Sequence, residues 1–107
     1  MATSSEYIDF ICDSIRRCGE VRSRKMFGDY IVYIDDKPIL TVCDNTVFVK
    51  ILPVTDEIMI GKEKGYPYDG AKEHYILDVE DKELTQKVVL ALKEIIPVPK
   101  KRNKNKV

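Results

Sequence analysis

Residues 30–51 read YIVYIDDKPILTVCDNTVFVKI, and this stretch decides the fold of the chain. It holds three apolar segments rich in β-branched and aromatic residues, the composition that favours strands. The segments are 30–34, 39–43 and 46–51. The connectors at 35–38 and 44–45 are too short to hold a crossover helix, so consecutive strands must be antiparallel. The stretch therefore predicts a three-stranded β-meander.

An amphipathic helix is predicted upstream of the meander. Ser4 or Ser5 can cap its start, and apolar side chains then recur at the spacing of a buried helical stripe. That stripe consists of Ile8, Ile11, Cys12 and Ile15. Gly19 supplies the stop, with Arg16 and Arg17 in the last turn, where cations complement the helix dipole.

Downstream of the meander, the pattern predicts a short helix, a loop, a strand and a long helix. Thr55 caps the short helix, which runs to about residue 60, and glycine and proline residues mark 61–70 as a loop. Residues 74–79 alternate as a strand, and Asp81 caps the final helix. The buried stripe of that helix is predicted to consist of Leu84, Val88, Ala91, Leu92 and Ile95.

These elements predict a single α+β domain over residues 1–99, with the element order α-β-β-β-β-α-β-α. We expect two layers, an antiparallel β-meander packed by the N- and C-terminal helices, because each helix needs a sheet face to bury its stripe. A chain of 107 residues is of ordinary size for one domain. Residues 100–107 are strongly basic, and we expect a disordered tail there.

The charge of the chain is unevenly distributed. The chain has 18 Lys and Arg residues and 18 Asp and Glu residues. Five of the cations lie in 100–107, which leaves 13 cations and 18 anions in the remaining chain. An acidic body argues against a dedicated nucleic-acid binder, whose domain is usually strongly basic.

The composition also bears on location and class. No apolar run approaches the roughly 20 residues of a membrane span, and the polar N-terminus lacks the pattern of a signal peptide. We therefore expect a cytoplasmic protein with no membrane contact, either a monomer or a homodimer.

The residue types that carry catalysis are sparse. The three cysteines, Cys12, Cys18 and Cys43, have no C-x-x-C spacing, and His74 is the only histidine. We expect no enzyme, no catalytic residue, no metal and no cofactor. An enzyme would need a pocket that gathers Cys43, His74 and acids from distant segments.

A basic cluster is the main candidate site. It lies on both sides of the Gly19 turn and consists of Arg16, Arg17, Arg22, Arg24 and Lys25. Residues 21–25 are predicted to form a fourth strand at the sheet edge. If the helix end and this strand meet, the cluster forms one patch that can bind phosphates. The alternative is that these charges serve the helix dipole and block sheet-to-sheet pairing. The candidate contacts, including the tail, are Arg16, Arg17, Arg22, Arg24, Lys25, Lys100, Lys101 and Arg102.

Met26 and Phe27 follow the basic cluster. Neither face of the preceding strand is cleanly apolar, so we expect a bulge or bend near Met26 that Gly28 relaxes. The simplest expectation places Met26 and Phe27 in the core. The alternative is a groove lined by Met26, Phe27 and Tyr30 that receives a peptide.

Residues 23–30 read SRKMFGDY, and an antiparallel pair and the strand DNTVFVK at 44–50 follow. This order resembles the N-terminal domain of the TfoX (Sxy) competence regulators. In that family an R-K-M-F-G-x-Y run leads into a strand, and a D-x-x-(Leu/Val)-(Tyr/Phe)-(Leu/Val)-K strand follows. The resemblance covers roughly residues 5–99 and includes the Tyr-Pro-Tyr loop at 66–68.

The resemblance implies a small regulatory domain that acts through protein partners. The two-domain members of the family are transcriptional co-regulators that act with a cyclic-AMP receptor protein, and we expect this chain to be a stand-alone single-domain relative. The alternative is a nucleic-acid-binding accessory protein that uses the basic cluster at 16–25 and the C-terminal tail. We expect Tyr66 and Tyr68 to pack over the sheet rather than to stack on bases.

Overall fold

Three helices pack on one face of a six-stranded antiparallel sheet in this computed structural model, which describes residues 3–26 and 29–98. The helices are α1 (Ser5–Ser14), α2 (Pro53–Ile58) and α3 (Lys82–Ile95), and a 3-10 turn (Arg16–Cys18) follows α1. The strands are β1 (Val21–Met26), β2 (Asp29–Ile34), β3 (Lys37–Cys43), β4 (Thr46–Lys50), β5 (Lys64–Gly65) and β6 (His74–Leu77).

The predicted α+β class and the predicted element order are confirmed. The strands lie in the order β1-β2-β3-β4-β6-β5, so β1 is the edge strand that the sequence predicts. Within the described chain the structure adds two elements to the prediction, the 3-10 turn after α1 and β5, two residues of the predicted loop that pair with β6. The tail boundary at residue 99 and the basic tail at 100–107 lie outside the described residues.

Tight turns fix the meander. Asp35 and Asp36 have φ angles of 52° and 66°, and Asp44 and Asn45 have φ angles of 51° and 55°. Positive φ at both central residues defines the two-residue turn that matches the twist of a β-hairpin. Aspartate and asparagine tolerate this left-handed conformation better than most residues do, so these two polar pairs set the strand register.

Strand β3 starts earlier than the sequence predicts. Val32 pairs with Leu40, but Tyr33 pairs with Pro38, so Ile39 is an extra residue on β3. This irregularity is a β-bulge, and it explains how Pro38, which has no N–H to donate, lies within a central strand.

The start of α1 is confirmed, and its end is corrected. The Ser4 hydroxyl accepts a hydrogen bond from the Tyr7 N–H, and Ile8, Ile11 and Ile15 are buried. The α-helix ends at Ser14, and the two arginines predicted in its last turn lie in the 3-10 turn instead.

Gly19 ends the 3-10 turn because a side chain does not fit there. Its φ angle is 153°, and an added Cβ would lie only 2.7 Å from Cγ2 of Ile34. The close approach of this turn to the β2–β3 turn positions the start of β1.

The other two helices differ from the prediction in detail. Thr55 lies inside α2 rather than at its cap, and its hydroxyl accepts a hydrogen bond from the Leu52 N–H. Asp81 caps α3 as predicted, by accepting from the Leu84 N–H. Ile95 is 50% exposed and Ile96 is buried in its place, because α3 packs against α2 as well as against the sheet. The buried residues of α3 are Thr85, Val88, Val89 and Leu92.

The strand predicted at 74–79 ends at Leu77 in the structure, and the predicted burial of Tyr75, Leu77 and Val79 is confirmed. Of the helices in the described chain, none has the length and apolar character that crossing a membrane requires.

Candidate functional site

The sheet face that points away from the helices carries a second apolar surface, which we call the outer face. Strand register places four apolar or small side chains in one row across four strands of this face, and they are Ile31, Thr41, Phe48 and Ile76. Phe48 is buried although it lies outside the main core cluster. The β5 segment covers it, because a Cβ on Gly65 would lie 3.0 Å from Ile76 and 3.5 Å from Phe48.

A groove of about 560 Å³ remains on the outer face beside this covered part. Ile31, Thr41 and Cys43 line it from the central strands, and Pro67 and Tyr68 line it from the loop after β5. The other lining residues are Met26, Asp29, Tyr30 and His74. We call this cavity the outer groove.

Two large apolar side chains of the outer groove are open to solvent. Met26 is 37% exposed and Tyr68 is 63% exposed. The expectation that Met26 lies in the core is therefore wrong, because its side chain faces the outer side of the sheet. The β1–β2 register is regular from Val21 to Met26, so the bulge expected near Met26 is absent from the described part of β1. Phe27 and Gly28 lie outside the described residues.

The basic cluster is divided between two faces. Arg22 pairs with Tyr33 and Arg24 pairs with Ile31, so both arginines lie on the outer face, whereas strand alternation places Lys25 on the opposite face. The Arg22 guanidinium lies 4.4 Å from the Tyr33 ring centroid, and its Nε lies 3.3 Å from Asp36.

Two other residues, Arg16 and Arg17, complete the described part of the cluster. Arg16 donates a 2.7 Å hydrogen bond to Asp13, and this carboxylate raises the pKa of Arg16. Arg17, like Arg24 and Lys25, is exposed, and its side chain makes no hydrogen bond or ion pair with any residue the structure describes. Arg24 is the cation that borders the groove, because its strand partner Ile31 lines it. The candidates Lys100, Lys101 and Arg102 lie outside the described residues.

Comparison with known proteins places the chain in a family. It is 34% identical over 104 residues to the uncharacterized 12.7 kDa protein in the trpE 5′ region of Spirochaeta aurantia. The match covers 95% of this chain and 90% of that protein. This chain belongs to the family of that spirochaete protein. No protein-family model matches the chain.

Cys43, His74 and Asp29, the residue types that an enzyme would need, all line the outer groove. Burial and the nearby Asp29 and Asp44 raise the pKa of the Cys43 thiol to about 11, so it is protonated at neutral pH. A protonated thiol is a weak nucleophile.

The distance between these residues also argues against joint chemistry. Cys43 pairs with Thr46 and His74 pairs with Lys50, so the two are four residues apart along the strands and two strands apart. Their Cα atoms are then about 16 Å apart. The Nδ1 of His74 is 2.7 Å from the carbonyl oxygen of Lys72, which fixes it as the donor.

Asp29 has a structural role in the groove. Its carboxylate accepts a hydrogen bond of 3.3 Å from the Asp44 N–H and lies 3.4 Å from the Thr3 hydroxyl. It therefore ties the β3–β4 turn to the start of the chain. No group of three or more metal-ligating side chains occurs within residues 3–26 and 29–98.

Sequence reasoning missed His74 and the role of the Tyr-Pro-Tyr loop. The sequence did not predict the contact of His74, whose ring lies edge-on to Phe48, with 6.4 Å between the centroids. Tyr66 and Tyr68 were expected to pack over the sheet, yet both rings are mostly exposed and only Pro67 between them is half-buried. The loop itself does cross the outer face, and its exposed aromatic residues were the available signal.

A second cavity, of about 480 Å³, was not predicted at all. It lies beside Tyr7 and Phe10 of α1, whose rings stack with 6.3 Å between their centroids. Burial, Asp78 and Glu80 raise the pKa of Tyr7. The acids of this cavity come from segments far apart in the chain, and they are Glu63, Asp78, Glu80 and Asp81.

Proposed function

We propose that this protein is a small cytoplasmic interaction domain that binds a protein partner through the outer groove. In this proposal it resembles the N-terminal part of TfoX-type transcriptional co-regulators. The observation that carries the proposal is the exposure of Met26 and Tyr68 on either side of an apolar floor. Exposed apolar patches next to polar residues are typical of protein-binding surfaces.

The composition of the groove supports a protein ligand. Aromatic residues, methionine and arginine are enriched at protein interfaces. The groove offers Tyr68 and Met26, and Arg24 stands beside it. The raised pKa of Cys43 favours binding over covalent catalysis.

The run at residues 23–30, which resembles the TfoX domains, supports the same site. Arg24 and Met26 both belong to the run that resembles the TfoX domains, and both lie on the outer face of β1. Two of the residues on which the resemblance rests are therefore at the rim of the groove. A role in transcriptional regulation is part of the proposal on that ground.

The test is affinity capture with a matched pair of variants. We expect the wild-type protein to retain specific proteins after nuclease treatment, and we expect Tyr68→Ser to lose them. Ile60→Ser is the control, because Ile60 is 79% exposed and does not line the outer groove. Recovery of nucleic acid alone, or equal capture by both variants, would contradict the proposal.

The second candidate is a nucleic-acid-binding accessory protein. It is favoured by the three exposed cations without a described partner, Arg17, Arg24 and Lys25, and by the exposed rings of Tyr66 and Tyr68. If the five tail cations alone engage phosphates, the log–log slope of affinity against salt should reach about −4 to −5. Absence of binding to DNA and RNA at about 50 mM salt would exclude this candidate.

A further inference from the structure

Strand β1 is an edge strand with an open backbone. The Asp35 N–H donates a 2.9 Å hydrogen bond to the Glu20 carbonyl, so this pair is hydrogen-bonded. Antiparallel pairs alternate, which means that Arg22, Arg24 and Met26 also bond to β2. The residues between them direct their N–H and C=O groups to the open edge, and they are Val21, Ser23 and Lys25.

The side chains of β1 disfavour pairing with a second copy of the same strand. A hydrogen-bonded pair needs an open residue on both strands, so two antiparallel copies about a two-fold axis can meet in two registers near the centre of β1, with Ser23 opposite itself or opposite Lys25. These registers place Arg22 opposite Arg24, or Arg24 opposite itself. Both of them set like charges directly across the strands, which is destabilising.

The cations of β1 that disfavour a second copy favour pairing with an acidic strand. We propose that the open edge of β1 binds an extended acidic segment of a partner protein by strand addition. A segment with acids opposite Arg22 and Arg24, and an apolar side chain opposite Met26, matches the outer side of β1. Backbone hydrogen bonds from Ser23 and Lys25 hold such a segment, and its side chains set the specificity.

The arginine side chains of β1 supply the charge that is complementary to an acidic segment. The Arg24 side chain makes no ion pair within the described chain, so it is free to receive a carboxylate. Arg22 is held in place by Asp36 and by the Tyr33 ring. The apolar position beside Met26 is continuous with the outer groove, so this inference rests on the proposed function and names the chemistry of its partner.

The probe is the capped peptide Gly-Leu-Thr-Glu-Thr-Glu-Thr-Leu-Gly, whose pattern fits β1 in either direction. A control peptide, Gly-Leu-Glu-Thr-Thr-Glu-Thr-Leu-Gly, has the same composition but places the acids on opposite faces of a strand. Titration is followed by amide chemical shifts. We expect shifts along residues 21–26, and weaker binding of the control peptide.

Two variants separate backbone pairing from charge attraction. Ser23→Pro removes the N–H that residue 23 directs to the open edge but keeps the three cations of β1. Ser23→Ala keeps this N–H as well as the three cations. We expect Ser23→Ala to bind as the wild type does and Ser23→Pro to bind about tenfold more weakly, as expected for one lost hydrogen bond. Equal binding by the two variants would overturn strand addition.

Arg24→Glu decides the matter if Ser23→Pro does not fold. Arg24 is exposed, so its replacement leaves the core intact. We expect the affinity of this variant for the glutamate peptide to fall by up to about fivefold. We also expect the variant to prefer a peptide with lysine in place of both glutamates. Unchanged preference would contradict the proposal.

The remaining outcomes distinguish this inference from the proposed function. Affinity capture that Tyr68→Ser abolishes and Ser23→Pro leaves intact would keep the proposed function and overturn strand addition. A further outcome is a single-stranded oligonucleotide that binds Ser23→Pro and the wild type equally tightly while the peptide binds neither protein. That outcome would overturn strand addition and show a phosphate site instead. A wild-type dimer that Ser23→Pro dissociates would show that a second copy occupies the edge.

Discussion

At the scale of single residues, Lys93 joins three parts of the molecule. Its Nζ donates to the Cys18 carbonyl at 2.7 Å and to Oδ2 of Asp35 at 2.8 Å. Its own carbonyl accepts a 2.6 Å hydrogen bond from Lys37. One side chain thus links the end of α3, the 3-10 turn and the β2–β3 turn, and these elements position the start of β1.

Lys93→Met should lower the free energy of unfolding by about 1–3 kcal/mol, because it leaves the partly buried Cys18 carbonyl and Asp35 without their donor. Chemical denaturation measures the change. Lys87→Met is the matched control, since Lys87 is exposed on the same helix, and it should cost less than about 0.5 kcal/mol. Equal effects of the two substitutions would contradict this role of Lys93.

Asp35 should make the stability depend on pH. Its hydrogen bond with Lys93, followed by that from the Glu20 N–H, lowers the pKa of Asp35. A lowered pKa stabilises the folded state above the unfolded value of about 3.9, and this contribution is lost as the pH falls through the folded value. The stability difference between the wild type and Asp35→Asn should therefore shrink below about pH 4. A difference that grows with acid would contradict the linkage.

Cys43 should resist alkylation in the native protein. With a pKa of about 11, only about one thiol in a thousand is ionised at pH 8. Iodoacetamide labelling at pH 8, mapped by mass spectrometry, should leave Cys43 unmodified until the protein is denatured. Rapid native labelling of Cys43 would show a reactive thiol and would weaken the argument against catalysis.

At the scale of elements, the buried face of α3 holds the helical layer on the sheet. Leu92 is fully buried in the core cluster, and Leu90, on the same helix, is 47% exposed. Leu92→Ala should cost about 2–5 kcal/mol, because it removes buried methyl groups and leaves a cavity. Leu90→Ala should cost less than about 1 kcal/mol, and thermal denaturation of both variants compares them. Similar losses would contradict the observed helix orientation.

The sequence predicted the elements better than the site. The turn at 44–45 and the edge position of β1 follow from local residue chemistry, so they were predictable. The connector predicted at 35–38 is shorter in the structure, a two-residue turn at 35–36, because the bulge in β3 lets Pro38 lie within the strand. Met26 was misplaced because strand alternation does not say which face the helices cover. The run Val47-Phe48-Val49 is apolar on both faces, and this pattern indicates a strand covered on both sides. What covers the outer side is a loop distant in sequence, which local patterns do not predict.

At the scale of the whole molecule, the two faces of the sheet have different roles. The helix side supplies the core, and the outer side combines an apolar groove with a basic edge strand. The match to the spirochaete protein covers nearly the full chain, so it includes the residues on both faces of the sheet. The charges along β1 also bear on assembly.

Light scattering should find a monomer near the chain mass of 12.3 kDa, because every central register of a β1–β1 pair opposes cations. Raising the salt concentration screens this repulsion, so any weak dimer should appear only at high salt. A stable dimer at low salt would contradict this view of the edge.

The most direct test of the central claim is quantitative mass spectrometry of proteins captured after nuclease treatment by wild-type, Tyr68→Ser and Ile60→Ser protein. If the outer groove binds a protein partner, the same proteins should be retained by the wild type and by Ile60→Ser and lost from Tyr68→Ser. Retention of those proteins by Tyr68→Ser at the wild-type level would contradict the assignment of the groove as the binding site.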